Sequence, residues 1–243
     1  MAISGKPTGP SAMAAASALR GYAEPSLAKE LTRFFKCGPG EYGEGDVFHG
    51  VTVPNTRRVA REFKDLPLGE VEKLIRSRFH EERLLGLLIL VGQFKRADGA
   101  GRTTRFEIYL AHVTWINGWD LVDVSAEHVV GGHLADKDRH LLDELAGSEH
   151  LWSRRIAIMA TFHFIRRGEY EDTLRVARRL LKDPHDLIHK ATGWMLREVG
   201  NRDREVEEGF LRVHYRGMPR TMLRYAIEAF PEPLRQAYLK GEY

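Results

Sequence analysis

Residues 152–215 read WSRRIAIMATFHFIRRGEYEDTLRVARRLLKDPHDLIHKATGWMLREVGNRDREVEEGFLRVHY, and their periodicity decides the fold class. Apolar residues recur every three to four positions over 152–167 and, after a short turn, over 169–182. The rhythm repeats over 186–200 and 203–215. Apolar spacing of this kind marks amphipathic helices. Two helix, turn, helix units in succession have the rhythm of repeats that run to about 40 residues, and point to stacked pairs and away from a closed bundle. The same period extends outward over 26–36, 68–78, 80–96, 102–113, 118–134, 137–146, 219–230 and 232–240, with a further stretch after Val53-Pro54, where Asn55 suits an N-cap. No alternating strand pattern bounded by a hairpin turn occurs. The expected fold is therefore all-α: a right-handed solenoid of antiparallel helix pairs, whose concave face suits an extended partner such as a nucleic-acid duplex. Residues 1–24, small and punctuated by Gly and Pro, read as a flexible lead that ends in at most a short helix, and 25–243 as a single domain of this kind.

Composition narrows the function classes. The chain has 243 residues, a formal charge of +3 and one cysteine, Cys37, which excludes an internal disulfide and a cysteine-rich zinc site. A reducing compartment is expected. The longest apolar run, Leu84 to Val91, is eight residues long, far short of the ~20 needed to cross a bilayer, and no basic segment followed by an apolar one opens the chain. A cytoplasmic protein without a membrane partner is expected. Of 37 basic residues 27 are arginine, whose planar fork suits phosphate oxygens; a high-GC genome would enrich arginine equally.

Three segments carry candidate chemistry. In Asn117-Gly118-Trp119-Asp120-Leu121-Val122-Asp123, Asn117 as N-cap would put Asp120 at the third helical position, complementing the helix dipole. Trp119 and Asp123, four apart, share a face, either as a core indole beside a surface acid or as a functional pair. Arg154 and Arg155 stand in the first turn of an apolar helix, where they oppose the dipole unless an acid or a phosphate compensates. Lys190, Trp194 and Arg197, at i, i+4 and i+7, line one stripe with cation, indole and cation, read either as a buried indole with snorkelling neighbours or as a binding surface. His185-Asp186 lacks the further ligands a metal phosphohydrolase needs, His80-Glu81-Glu82 does not continue as a zinc-protease motif, and no phosphate loop or nucleophile elbow is present.

Together GVTVPNTRRVAREF (50–63), WDLVDVSA (119–126), WSRRIAIMATFHFIRRG (152–168), HDLIHKATGWMLREVGNRD (185–203) and MPRTMLRYAIE (218–228) resemble the HEAT-like-repeat DNA alkylation repair glycosylases, the AlkD family. The likeness runs from about residue 27 to the C-terminus. It implies an active surface of two tryptophans, an aspartate and an arginine gathered on the concave face, which correspond here to Trp119, Trp194, Asp123 and Arg155. Lys190 and Arg197 would contact DNA, and Tyr42 approximates a family tyrosine that does so.

The activity implied is hydrolysis of the N-glycosidic bond of cationic N3- or N7-alkylated purines in double-stranded DNA by a monomer, with no cofactor, no metal and no strand cleavage. A cationic purine departs as a neutral base, so little acid catalysis is required; the sugar becomes oxocarbenium-like and favours a nearby anion and electron-rich rings. Asp123 would supply the carboxylate and position water, the two indoles would face the charged nucleotide, and Arg155 would hold a backbone phosphate. The family is thought to act without the base flipping usual for glycosylases. The alternatives are a non-catalytic HEAT-like protein that binds damaged or branched DNA, and a scaffold for protein partners, against which the charged stripe on 186–200 speaks.

Overall fold

The computed structural model describes residues 10–242; among them regular structure is helical, without a β-strand, apart from one bridge between Val47 and Phe79. The all-α expectation holds. Where a single domain is expected over 25–243, the chain divides into two compact units, one ending at Ser125 and one beginning at Ala126. Within each unit the helices that pack together are near neighbours in sequence, as in a stack of helix pairs.

The first unit contains α1 (Ala12–Arg20), α2 (Pro25–Phe34), α3 (Val53–Glu62), α4 (Leu68–Ile75), α5 (His80–Arg96), α6 (Gly99–Ala111) and α7 (Trp119–Asp123). The expectation of a flexible lead over 1–24 needs correction where the chain is described; residues 1–9 lie outside the described residues. Ser11 caps α1 by accepting from the Ala14 N–H, and the Ala12 N–H donates to Glu70 at 2.8 Å. Ala15, Ala16 and Leu19 are buried, and the helix packs on α3 and α4. Small side chains, which make this segment look unstructured in sequence, let it pack closely instead.

α5 is the axis of this unit. Thirteen of its seventeen residues are buried, so it has almost no solvent face, the condition of a core helix. Gly86 makes room for α4: a Cβ there would lie 2.9 Å from the Ile75 side chain. Burial includes charged residues at the start of α5, each of which has partners, as buried charges require. Glu81 accepts from the backbone N–H groups of His49, Gly50 and Val51 at 2.8–3.1 Å, and Glu82 accepts from Ser77 at 2.6 Å and meets His49 at 2.9 Å.

The second unit opens on a π-helical turn, Glu127–Gly131, and continues through α8 (Leu141–Ala146), α9 (Leu151–Ala160), α10 (Phe162–Ile165), α11 (Glu171–Leu180), α12 (Asp186–Gly200), α13 (Arg204–His214), α14 (Arg220–Ala226) and α15 (Glu232–Lys240). The single helices expected over 118–134 and 152–167 are each broken at a hydroxyl residue. Ser125 Oγ donates to the Leu121 carbonyl at 2.5 Å and Thr161 Oγ1 to the Ile158 carbonyl at 2.6 Å, bonds that compete with the helical ladder. α12 packs on α9, α11, α13 and α14, and its Gly193 permits the approach of α14, since a Cβ would lie 2.6 Å from that of Tyr225.

Glu207 on α13 is 1% exposed, and burial pushes its carboxyl up to about 8, Arg204 opposing and Glu208 adding to the shift. A carboxyl raised on folding contributes stability that is full below its unfolded value and lost as pH rises through the folded one. Glu207→Gln is therefore expected to melt above the unmutated protein at pH 9 and level with it at pH 4, by roughly 2–4 °C for each kcal/mol of strain relieved. Equal melting at both pH values in thermal scans would contradict the buried-acid account.

Candidate functional site

The first unit presents Trp119 and Asp123 on α7. Five residues are too few to sustain a helix by backbone bonding alone, and its N-cap, Gly118, offers no side-chain cap. Side chains hold it instead. The Trp119 indole stacks on Phe35 with centroids 5.3 Å apart and meets Phe34 edge-on at 5.9 Å. Asp123 lies one turn on, and both side chains are part-buried and part-exposed. Behind them Tyr109 is fully buried and bonds Ser125 Oγ at 3.0 Å. Burial pushes its phenol up and the Asp123 charge adds to that, the Ser125 bond opposing.

Asp120 and Asn117 differ from expectation. Gly118, not Asn117, occupies the N-cap, so Asp120 is the second helical residue, and Asn117 donates to Asp46 Oδ1 at 3.0 Å. Asp120 Oδ2 lies 2.8 Å from His80 Nε2, while His80 Nδ1 lies 2.8 Å from Asp46 Oδ2. Arg83 donates to the other Asp46 oxygen at 2.5 Å. The His80 ring is 2% exposed and sits 4.8 Å from both Phe35 and Phe48. Burial disfavours its charged form, yet the charge of Asp120 and the bonds to Asp120 and Asp46 outweigh burial and hold its pKa up to about 9, with Arg83 opposing. Asp46 is likewise held below its usual range, burial being outweighed by the His80 bond and the Arg83 charge. Cys37 stands in the same field, its thiol pushed up to about 11 by burial and by Asp46 and Glu41, with Arg83 opposing.

Sequence reasoning missed His80 and Asp46. A usable signal was present: His80 and Arg83 are three apart on a helix with almost no solvent face, and buried cations must find acids. Tyr42 lies, half-buried, in the turn between Cys37 and Asp46, where Glu41 and Glu44 accept from the Gly38 and Gly40 N–H groups at 2.9 Å.

The second unit carries the other candidates. The two arginines of α9 part company: Arg154 donates to Asp183 at 2.6 Å and to the Ser148 and Glu149 carbonyls, so an acid compensates it. Arg155 is 5% exposed and donates to the Leu187 carbonyl in the first turn of α12 at 2.6 Å. Trp194, half-buried on α12, donates through Nε1 to Glu198 at 3.2 Å and has Phe162 at 6.4 Å. The cations of its stripe are paired within this unit, Lys190 with Asp186 at 2.8 Å and Arg197 with Glu228. The stripe is thus a mixed surface in which each cation already has an acid. Among the described residues no group of three or more His, Cys, Asp or Glu side chains is arranged to hold a metal, and no helix is long and apolar enough to cross a membrane.

Comparison with known proteins gives this arrangement a family. The model of the DNA alkylation repair enzyme family matches residues 15–230, and the chain belongs to that family. The protein is therefore one of DNA repair, with DNA as its partner. The match begins inside α1, earlier than the likeness noted in the sequence. A solved structure, "Predicted DNA alkylation repair enzyme from Enterococcus faecalis", superposes with a TM-score of 0.68 at 17% identity, covering 86% of this chain and 97% of that one; at that identity the likeness is one of fold. No curated protein matches.

His80 also gives a pH signature. Its folded value near 9 lies above the unfolded one of about 6.5, so its contribution is full below pH 6.5 and is lost as pH rises through 9. Thermal melting of the unmutated protein should fall between pH 6.5 and 9, and that of His80→Gln should start lower and lack this component. Parallel curves for the two proteins would contradict a charged, paired His80.

Proposed function

We propose that this protein is a monofunctional DNA glycosylase that hydrolyses the N-glycosidic bond of cationic N3- or N7-alkylated purines in duplex DNA. The observation that carries this reading is the Trp119 and Asp123 pair, one helical turn apart and both partly exposed, on a helix held by buried contacts. As the bond to C1′ breaks, positive charge passes from the base to the sugar. The base leaves neutral, with the bonding electrons, and water adds to C1′. Asp123 stabilises the developing sugar cation and accepts a proton from the attacking water. The indole face of Trp119, beside Asp123, attracts the cationic nucleotide, a contact worth about 0.5–2 kcal/mol, and Trp194 offers a second indole face to DNA from its own unit.

Arg155 supplies positive charge for a backbone phosphate; because it is buried, its field is screened less than that of a surface arginine. Lys190 and Arg197 engage phosphates by exchanging Asp186 and Glu228 for them, and Tyr42 adds a contact from the glycine-rich turn. No lysine enters the chemistry, so the abasic strand stays intact. The protein acts as a monomer in the cytoplasm on chromosomal DNA.

Asp123 works only as charge develops, so Asp123→Asn should slow release of 7-methylguanine from methylated duplex by about two orders of magnitude while leaving DNA affinity nearly unchanged. Release at the unmutated rate would remove Asp123 from catalysis. Tight binding of alkylated duplex without release by the unmutated protein would instead mark a non-catalytic binder.

Replacing Arg155, Lys190 or Arg197 by a neutral residue should weaken binding to damaged and undamaged duplex alike and lower the salt slope by about one phosphate contact each. Salt slopes that all match the parent would contradict their assignment to DNA.

A further inference from the structure

We propose that His80 is a positioning residue for base excision: held as an imidazolium between Asp46 and Asp120, it fixes the first turn of α7 and so places Trp119 and Asp123. This rests on the glycosylase reading above.

The geometry supports each step. Both His80 nitrogens lie 2.8 Å from carboxylate oxygens. An ionised carboxylate only accepts, and a neutral imidazole donates once, so both contacts are satisfied only when both nitrogens carry protons. Charge balance points the same way. Asp46 and Asp120 bring two negative charges into a buried site where Arg83 supplies one positive charge, and an uncharged His80 would leave a buried anion unmatched. The side chains of His80, Arg83 and Asp46 are 2–6% exposed and that of Asp120 13%; in such a setting removing one partner of a pair is costly.

The imidazolium is itself anchored. The His80 N–H donates to the Val47 carbonyl at 2.9 Å, which joins the start of α5 to the Asp46 segment. Asn117 bonds the same Asp46 from the strand of chain entering α7. Gly118 packs against the pair so closely that a Cβ would lie 2.8 Å from Asp120 Oδ1 and 2.9 Å from His80 Cε1. The α7 helix has five residues and no side-chain cap, so the His80–Asp120 ion pair anchors its first turn instead. Phe35 then touches both the His80 ring and the Trp119 indole, linking the clamp to the exposed site. A displacement of about 1 Å in a reacting group can cost on the order of a hundredfold in rate, so a clamp that moves α7 governs turnover without touching substrate.

His80→Gln, which keeps one donor and loses the charge, and the milder Asp120→Asn, which keeps an acceptor for Nε2–H, test this at pH 7.5. Single-turnover release of 7-methylguanine should fall at least tenfold in His80→Gln and less in Asp120→Asn, with the Kd for duplex DNA within twofold of the parent in both. In the free unmutated protein, 15N NMR should show two protonated His80 ring nitrogens at pH 7.5. Parent-like rates in both variants, or rate and affinity lost together, would overturn the positioning role. No release by the unmutated protein would sink the glycosylase reading and the catalytic role with it, while the ring nitrogens still decide the clamp: two N–H signals uphold it and one overturns it.

Discussion

An imidazole with a carboxylate at each nitrogen satisfies both only by being charged, and that constraint at His80 organises the first unit. The buried cation needs Asp46 from the segment after the glycine-rich turn and Asp120 from α7. It therefore ties a loop and a five-residue helix to the most buried helix of the unit. Desolvating such a group costs several kcal/mol, and the two charge-assisted bonds return about 1.5–3 kcal/mol each. Attraction to two nearby anions decides the balance, which is why the ring holds its proton to about pH 9. The proposed functional pair, Trp119 and Asp123, stands on this foundation and makes little structure of its own.

The second unit solves the opposite problem. Its candidate cations lie on or beside α12, which is apolar on the side that packs against α9 and α14, with Gly193 where α14 comes closest. Arg155, buried, is tied to a backbone carbonyl, whereas Lys190 and Arg197, more exposed, are tied to acids. Exposed ion pairs of this kind are worth about 0–1 kcal/mol, so a phosphate can replace the acid at small cost. Under the proposed role, cations paired at so small a cost still respond to a polyanion.

Helical periodicity made the all-α class legible, and the spacing of Trp119 and Asp123 places both on one face from the sequence alone. What the sequence concealed were events that depend on distant partners. Ser125 and Thr161 end helices through bonds to their own backbone, which apolar spacing does not register. Residues 12–20 look like a lead because alanine carries no strong pattern, yet alanine is what lets α1 pack. The His80 clamp joins positions 46, 80 and 120, separated by 34 and 40 residues, and no local spacing links them. The opposite fates of Arg154 and Arg155 likewise turn on Asp183 and Leu187, about thirty residues downstream.

The central claim is that a carboxylate and indole faces suffice because the substrate brings its own positive charge. Competing release from one duplex that carries both 7-methylguanine and uracil tests this most directly. A cationic purine leaves readily as a neutral base, while a neutral lesion needs protonation and a fitted pocket, neither of which the proposed chemistry supplies. The account predicts that 7-methylguanine is freed and uracil is retained. Release of uracil at a comparable rate would contradict it.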